Sequence, residues 1–363
     1  MAVIEGPANS NQAGLLGVLI ARGADVRQRL DRLNAQAGSG RVAEDFAGLG
    51  AGAVTSLDLR PRLQSLTGWQ RNIDAATTRM SVARTALGGI EAIAADLRAR
   101  LNNLNGLNPQ TVDTVASEAR SALGRMGDLL NSQAAGVYVF AGEDTANPPV
   151  PNADAITSSG FFTQISAAVA GLAANGAAAT AAETLAIAAS NADGTSPFSA
   201  RLSQPAAAMS LPSVEVGPNQ RVRTGLLASA NGAVQSLGDS TTGSHMRDLM
   251  RSLATIGSLS STQANDPGFN DLIADTRSSL TGAIDAMAAD VGVLGDAEAS
   301  LATTRLQLGE TEVALTDQVS RVEDVDMART LSRLQQVEAQ LQVSYRLISG
   351  SNNLSLVKFL GST

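Results

Sequence analysis

Along much of the chain, apolar residues recur three and four positions apart, the spacing that keeps one stripe of a helix against a partner helix. The first stripe runs Leu16, Leu19, Gly23, Val26, Leu30, Leu33, Ala37 and stops at Gly38 and Gly40, where a helix C-terminus is expected. Gly48-Leu49-Gly50-Ala51-Gly52 then reads as a loop. The second stripe is Leu66, Trp69, Ile73, Ala76, Met80, Ala83, Leu87, Ile90, Ala94, Leu97, Leu101 and Leu104, without a slip. It predicts one helix over Leu59 to Leu104, ~70 Å long at ~1.5 Å per residue. Asn105-Gly106-Leu107-Asn108-Pro109 breaks it, and Val112, Val115, Ala119, Ala122, Met126, Leu129 and Gln133 mark an antiparallel return helix.

Toward the C-terminus one column repeats every seventh residue: Ile273, Leu280, Met287, Leu294, Leu301, Leu308, Leu315, Val322. Its companion column, Ile284, Val291, Glu298, Arg305, Glu312, Val319, is apolar at both ends and charged in the middle, as in a seam that opens to solvent or carries ion pairs. The register then jumps at Glu323-Asp324-Val325-Asp326 and resumes as Met327, Leu334, Leu341, Ile348, with Leu331 and Tyr345 alongside. A phase break re-aims the stripe, so two helical segments facing different partners are expected. The terminal stripes, 1–38 and 327–363, are expected to lack partners in the isolated subunit and to order on assembly.

The middle of the chain changes character. Gly136-Val137-Tyr138-Val139-Phe140-Ala141-Gly142 is β-like, Asn147-Pro148-Pro149-Val150-Pro151-Asn152 is a turn-rich linker, and Val214 to Arg223 reads as a hairpin about Gly217-Pro218-Asn219. Between them lies Ala-, Gly-, Ser- and Thr-rich sequence to which the pattern assigns no element. The fold expected is mainly α: a long coiled-coil-like bundle built by the N- and C-terminal halves, with a small β-containing domain inserted and set apart from the rod. The boundaries read as 1–45 and 323–363 for terminal assembly helices, 46–139 and 229–322 for the rod, and 140–228 for the insertion.

Composition narrows the chemistry. Cys is absent, which removes disulfides and thiolate sites, and His245 is the one histidine, which removes Cys/His zinc sites and most nucleophile–base machinery. His245 lies in the polar run Thr241-Thr242-Gly243-Ser244 and reads as a solvated surface residue. The net charge is −8, and the basic residues, all Arg except Lys358, are scattered rather than striped, so nucleic acid is not an expected ligand. The N-terminus lacks the pattern of a Sec signal, and the Ala-rich run Ile165 to Ser190 is too weakly apolar to span a bilayer. Glu323, Asp324 and Asp326 form the tightest carboxylate cluster; without a neighbouring base or EF-hand spacing they read as an acidic helix start. Gly48 to Gly52 is not followed by Gly-Lys-Ser/Thr and is no phosphate loop. No catalytic, cofactor or metal residues are expected.

Gln36-Ala37-Gly38-Ser39-Gly40-Arg41 and Gln70-Arg71-Asn72-Ile73-Asp74-Ala75-Ala76 resemble the N-terminal helices of the bacterial flagellin family. Tyr138-Val139-Phe140-Ala141-Gly142 resembles a Y-x-F-A-G signature of one branch of that family. Asp324-Val325-Asp326-Met327-Ala328, Leu347-Ile348-Ser349-Gly350 and Leu354 to Leu360 are similar to the same branch's C-terminus. The likeness covers about 10–145 and 210–363, although Val42 to Ala53 lacks the Pro-Ser-Asp-Asp-Pro run common in the family.

The resemblance implies a non-enzymatic subunit of the extracellular flagellum. It would leave the cell unfolded through the type III export channel and join hook to filament; the alternative is the filament subunit itself. The implied partners are hook-associated protein 1, flagellin, an export chaperone and further copies of the chain in a ring. On this reading Leu16, Leu19, Val26, Leu30, Leu33, Met327, Leu331, Leu334, Leu341, Tyr345 and Ile348 meet neighbouring subunits or the chaperone. Leu66, Ile73, Met80, Leu87, Leu294, Leu301, Leu308 and Leu315 hold the rod together within the subunit.

Overall fold

The computed structural model describes residues 8–360 apart from 106, 206 and 207; for 8–16, 19 and 350–360 the helical backbone alone is described. The described residues form eight helices: α1 (Ala8–Ser39), α2 (Gly52–Asn103), α3 (Pro109–Leu130), α4 (Gly160–Ala170), α5 (Leu172–Ala189), α6 (His245–Gly257), α7 (Phe269–Glu323) and α8 (Met327–Leu360). Three 3-10 turns (Ala47–Leu49, Ile156–Ser158 and Ser261–Gln263) and two short antiparallel hairpins accompany them among the described residues, β1 (Gln133–Ala134) with β2 (Val137–Tyr138) and β3 (Ser213–Gly217) with β4 (Gln220–Arg223). The fold is therefore mainly α.

Local chemistry sets the element ends. Gly40, at φ +70°, takes the left-handed conformation that closes α1. Pro109 opens α3 where its missing N–H costs nothing. Asp326 accepts a hydrogen bond from the Arg329 N–H at 3.0 Å and so caps α8. The β-like run after Gly136 shortens to the two residues of β2, because the chain already turns at Val139 and Phe140. Ala141 then makes one isolated bridge to Leu227.

The chain divides into two compact units. One contains residues 67–308. Its core gathers Ile73, Met80, Leu87 and Leu97 of α2, Leu123 and Met126 of α3, and Leu280, Met287, Leu294 and Leu301 of α7. The segment expected to stand apart as an insertion shares this core: Phe140, Phe161, Phe162, Ile165, Val216 and Leu227 all belong to it. The Ala-rich run folds as α4 and α5, which pack on one another and on α6. Alanine supplies high helix propensity with no apolar/polar contrast, so the run carried no periodic signal.

Helix α6 sits at the centre of this unit, packed against α3, α4 and α5, with all thirteen residues buried. Its charged residues are each held. Arg247 donates to the Ser229, Ala188 and Ser190 carbonyls and to Asn191 Oδ1, and lies 5.1 Å over the Phe198 ring. Asp248 accepts from the Thr242 N–H at 2.7 Å and from the hydroxyls of Thr241 and Thr242. His245 is not a surface residue: it is buried, and its Nε2 donates to Asp290 Oδ2 of α7 at 2.8 Å. Burial alone would push Asp290 up, but the bonds from His245 and from the Gly232 and Ala233 N–H groups outweigh it and hold the carboxyl below its ordinary range. The polar run before His245 reads as solvated, yet its threonine hydroxyls donate to the buried Asp248 carboxylate instead of facing water.

The second unit contains residues 1–66 and 309–363. Here α1 and α8 pack along one another, with Gly23 beside Ile348. Over their described residues the two terminal stripes are thus partners for each other in the single chain, contrary to the expectation that neither has one; the outer parts of both stripes, 1–16 and 350–363, lie outside the residues whose side chains are described. Each stripe alone could not reveal this, since the pairing joins residues more than 300 positions apart.

Candidate functional site

The α1–α8 pair and the corner that carries it form the candidate site. At the corner the two linkers are stitched together: the Val42 N–H donates to the Glu323 carbonyl at 2.7 Å and the Val325 N–H to the Gly40 carbonyl at 3.0 Å, with Arg41 bridged to Asp324. Gly52 presses on Val322 closely enough that a side chain would not fit. The Glu323 carboxylate takes two bonds from Arg60, Nε at 2.8 Å and Nη2 at 2.5 Å, and one from Ser56 Oγ at 2.5 Å.

Glu323 therefore does not open a helix. It is the last residue of α7, where the helix dipole disfavours an acid, and the paired guanidinium offsets that cost. The Arg60 fork, with help from Ser56, lowers its carboxyl from 4.5 to about 2. The other two acids of the cluster have separate partners, Asp324 with the Ser320 hydroxyl and Asp326 with the first turn of α8. The three carboxylates do not converge. Among the described residues no group of three or more His, Cys, Asp or Glu could hold a metal ion, and no helix is long and apolar enough to cross a membrane.

The sequence-selected residues fall into two sets. Leu66, Ile73, Met80, Leu87, Leu294 and Leu301 are buried, Leu308 packs partly buried against the same core as most of these, and Leu315 is half-buried. Along the terminal pair, Val26, Leu30, Leu33, Leu334, Leu341 and Ile348 are half-buried, whereas Met327, Leu331 and Tyr345 stay 42%, 48% and 50% exposed. Leu16 and Leu19 lie outside the residues whose side chains are described. The pattern did not single out Ile20, Val343 and Leu347, which are also exposed on these helices. They sit off the seven-residue column that pairs α1 with α8, so a search for that column passes over them.

The Tyr138–Gly142 motif is a structural knot. Phe140 is fully buried, its carbonyl accepts from the Ala228 N–H at 3.0 Å, and Gly142 lies against Leu227 with no room for a side chain.

Residues 22–145 match the family model of the bacterial flagellin N-terminal helical region, and residues 278–360 match that of the bacterial flagellin C-terminal helical region. The two matches together span more than half of the chain. The chain belongs to the bacterial flagellin family and is a flagellar structural subunit. A solved structure of a candidate flagellar hook-associated protein from Vibrio parahaemolyticus shares the fold, with a TM-score of 0.51 at 12% identity over 77% of this chain and 99% of that one. No curated protein matches the sequence significantly.

Proposed function

We propose that the chain is the hook–filament junction subunit, flagellar hook-associated protein 3, and that it joins hook to filament through the paired terminal helices. The observation that carries the reading is the α1–α8 pair, which closes its inner seam yet leaves Met327, Leu331 and Tyr345 exposed. Exposed apolar side chains of that kind on a paired helix are suited to association with a neighbouring subunit. The junction role, rather than the filament role, is supported by the Tyr138-Val139-Phe140-Ala141-Gly142 signature. The family models are those of flagellin, which favours the filament subunit as the second reading.

On the junction reading, hook-associated protein 1 lies on one side and flagellin on the other. An export chaperone covers the α8 row before the unfolded chain passes through the type III channel. Electron microscopy of a strain lacking the chain tests this. Finished hooks that shed flagellin into the medium without filaments support the junction; filaments of normal length contradict it.

A further inference from the structure

Six phenylalanines have described side chains. Phe140, Phe161, Phe162, Phe198 and Phe269 are at most 8% exposed, while Phe46 is 43% exposed on the α1–α2 linker. That linker is a fixed knob rather than a loose loop. Asp45 Oδ1 accepts the Gly48 N–H at 2.8 Å, Gly48 is pressed onto Ala43, and the Val42 N–H is tied to Glu323. The knob offers an exposed aromatic side chain on a held backbone, beside exposed Glu44 and Asp45. Exposed aromatics held this way serve as interface anchors, because little freedom is lost when they dock.

Two recesses exist in the unit 67–308. The larger, about 890 Å³ between α2 and α3, is walled by Asp96, Glu118 and Asp128 against Arg100 and Arg125, so its charges sum to −1 and repel an acidic knob. The smaller, about 530 Å³, lies between α2, α7 and the loop at Leu237; it carries Arg98 and Arg277 against Asp285 and sums to +1. Arg100 of the larger recess is already paired with Asp96 and Glu118, whereas Arg98 and Arg277 have no ion-pair partner among the described residues. The smaller recess also presents Leu237, 86% exposed, as an apolar contact.

We infer that the Glu44-Asp45-Phe46 knob of one copy docks into the Arg98/Arg277 cleft of a second copy. The contact joins two different surfaces, so it is heterologous and propagates around a ring or along a tube. It rests on the assembly reading above and adds to it a place and a partner: another copy of this chain.

The test uses the absence of native cysteine. A strain lacking the chain is given two full-length copies, one with Glu44→Cys and one with Arg277→Cys, and its isolated flagella are oxidised. A disulfide-linked dimer is expected with the two together and not with either alone. In parallel, Arg98→Glu with Arg277→Glu should lower incorporation about tenfold or more at unchanged melting temperature, and Glu44→Arg should restore it. Incorporation without the cross-link, a cross-link from Glu44→Cys to Arg125→Cys instead, or no rescue by Glu44→Arg each overturns the contact. If the unsubstituted chain is missing from isolated flagella, the assembly reading itself fails, an outcome separate from incorporation without cross-linking.

Discussion

The core around α6 and the terminal pair α1–α8 are both helical, yet they are finished to different degrees. Around α6 even the arginines are buried, and Met246, Leu249, Met250, Leu253 and Ile256 are each at most 2% exposed. Along α8 the inward residues Leu334, Leu341 and Ile348 are only half-buried, and Leu331, Tyr345 and Leu347 face outward. One set of stripes is consumed in folding the subunit, whereas the other keeps exposed apolar residues that, on the proposed function, further partners would complete. Between the two sets α7 ends and α8 begins, and the Glu323–Arg60 clamp fixes the start of the second set.

The contrast is broken most forcefully in the core. Leu301 is fully buried, so Leu301→Asp places a charge without a partner there, and urea unfolding of the purified chain should lose about 4 kcal/mol. Phe161→Ala asks whether the middle segment belongs to the same core. A loss of about 3 kcal/mol is expected from the cavity it leaves, and a change near zero would return that segment to the status of an insertion set apart from the rod.

The clamp sharpens the comparison through pH. The Glu323 carboxyl is lowered in the folded chain, so its contribution is fully present above its ordinary 4.5 and is lost as pH falls through about 2. Thermal melts of the chain and of Glu323→Gln should therefore differ at pH 6 and converge toward pH 2. A gap that stays constant across that range would show that Arg60 does not stabilise the ionised form.

Much of this was legible in the sequence because heptad stripes are local: the runs through Leu66–Leu104 and Ile273–Val322 each describe one helix face, and the phase slip coincides with the end of α7. Three features were not legible. The Ala-rich run gave no contrast between faces, although it forms α4 and α5. His245 looked solvated because its partner Asp290 stands 45 residues away on another helix. Glu323 looked like a helix start because Arg60, 263 residues earlier, is what permits an acid at a helix end. For His245 and Glu323 the missing information was a long-range polar pairing, and for the Ala-rich run it was a contrast between faces; periodicity encodes neither.

The smallest expected effect on folding carries the most direct test. Leu331→Asp with Tyr345→Asp changes two outward-facing residues of α8 and should shift unfolding free energy by no more than about 0.5 kcal/mol. The decisive measurement is the amount of this double variant in sheared flagella, read by immunoblot beside the melting temperature of the purified chain. An unchanged melting temperature with incorporation lost is expected. Wild-type incorporation, or a melting temperature lowered as far as that of Leu301→Asp, would contradict it.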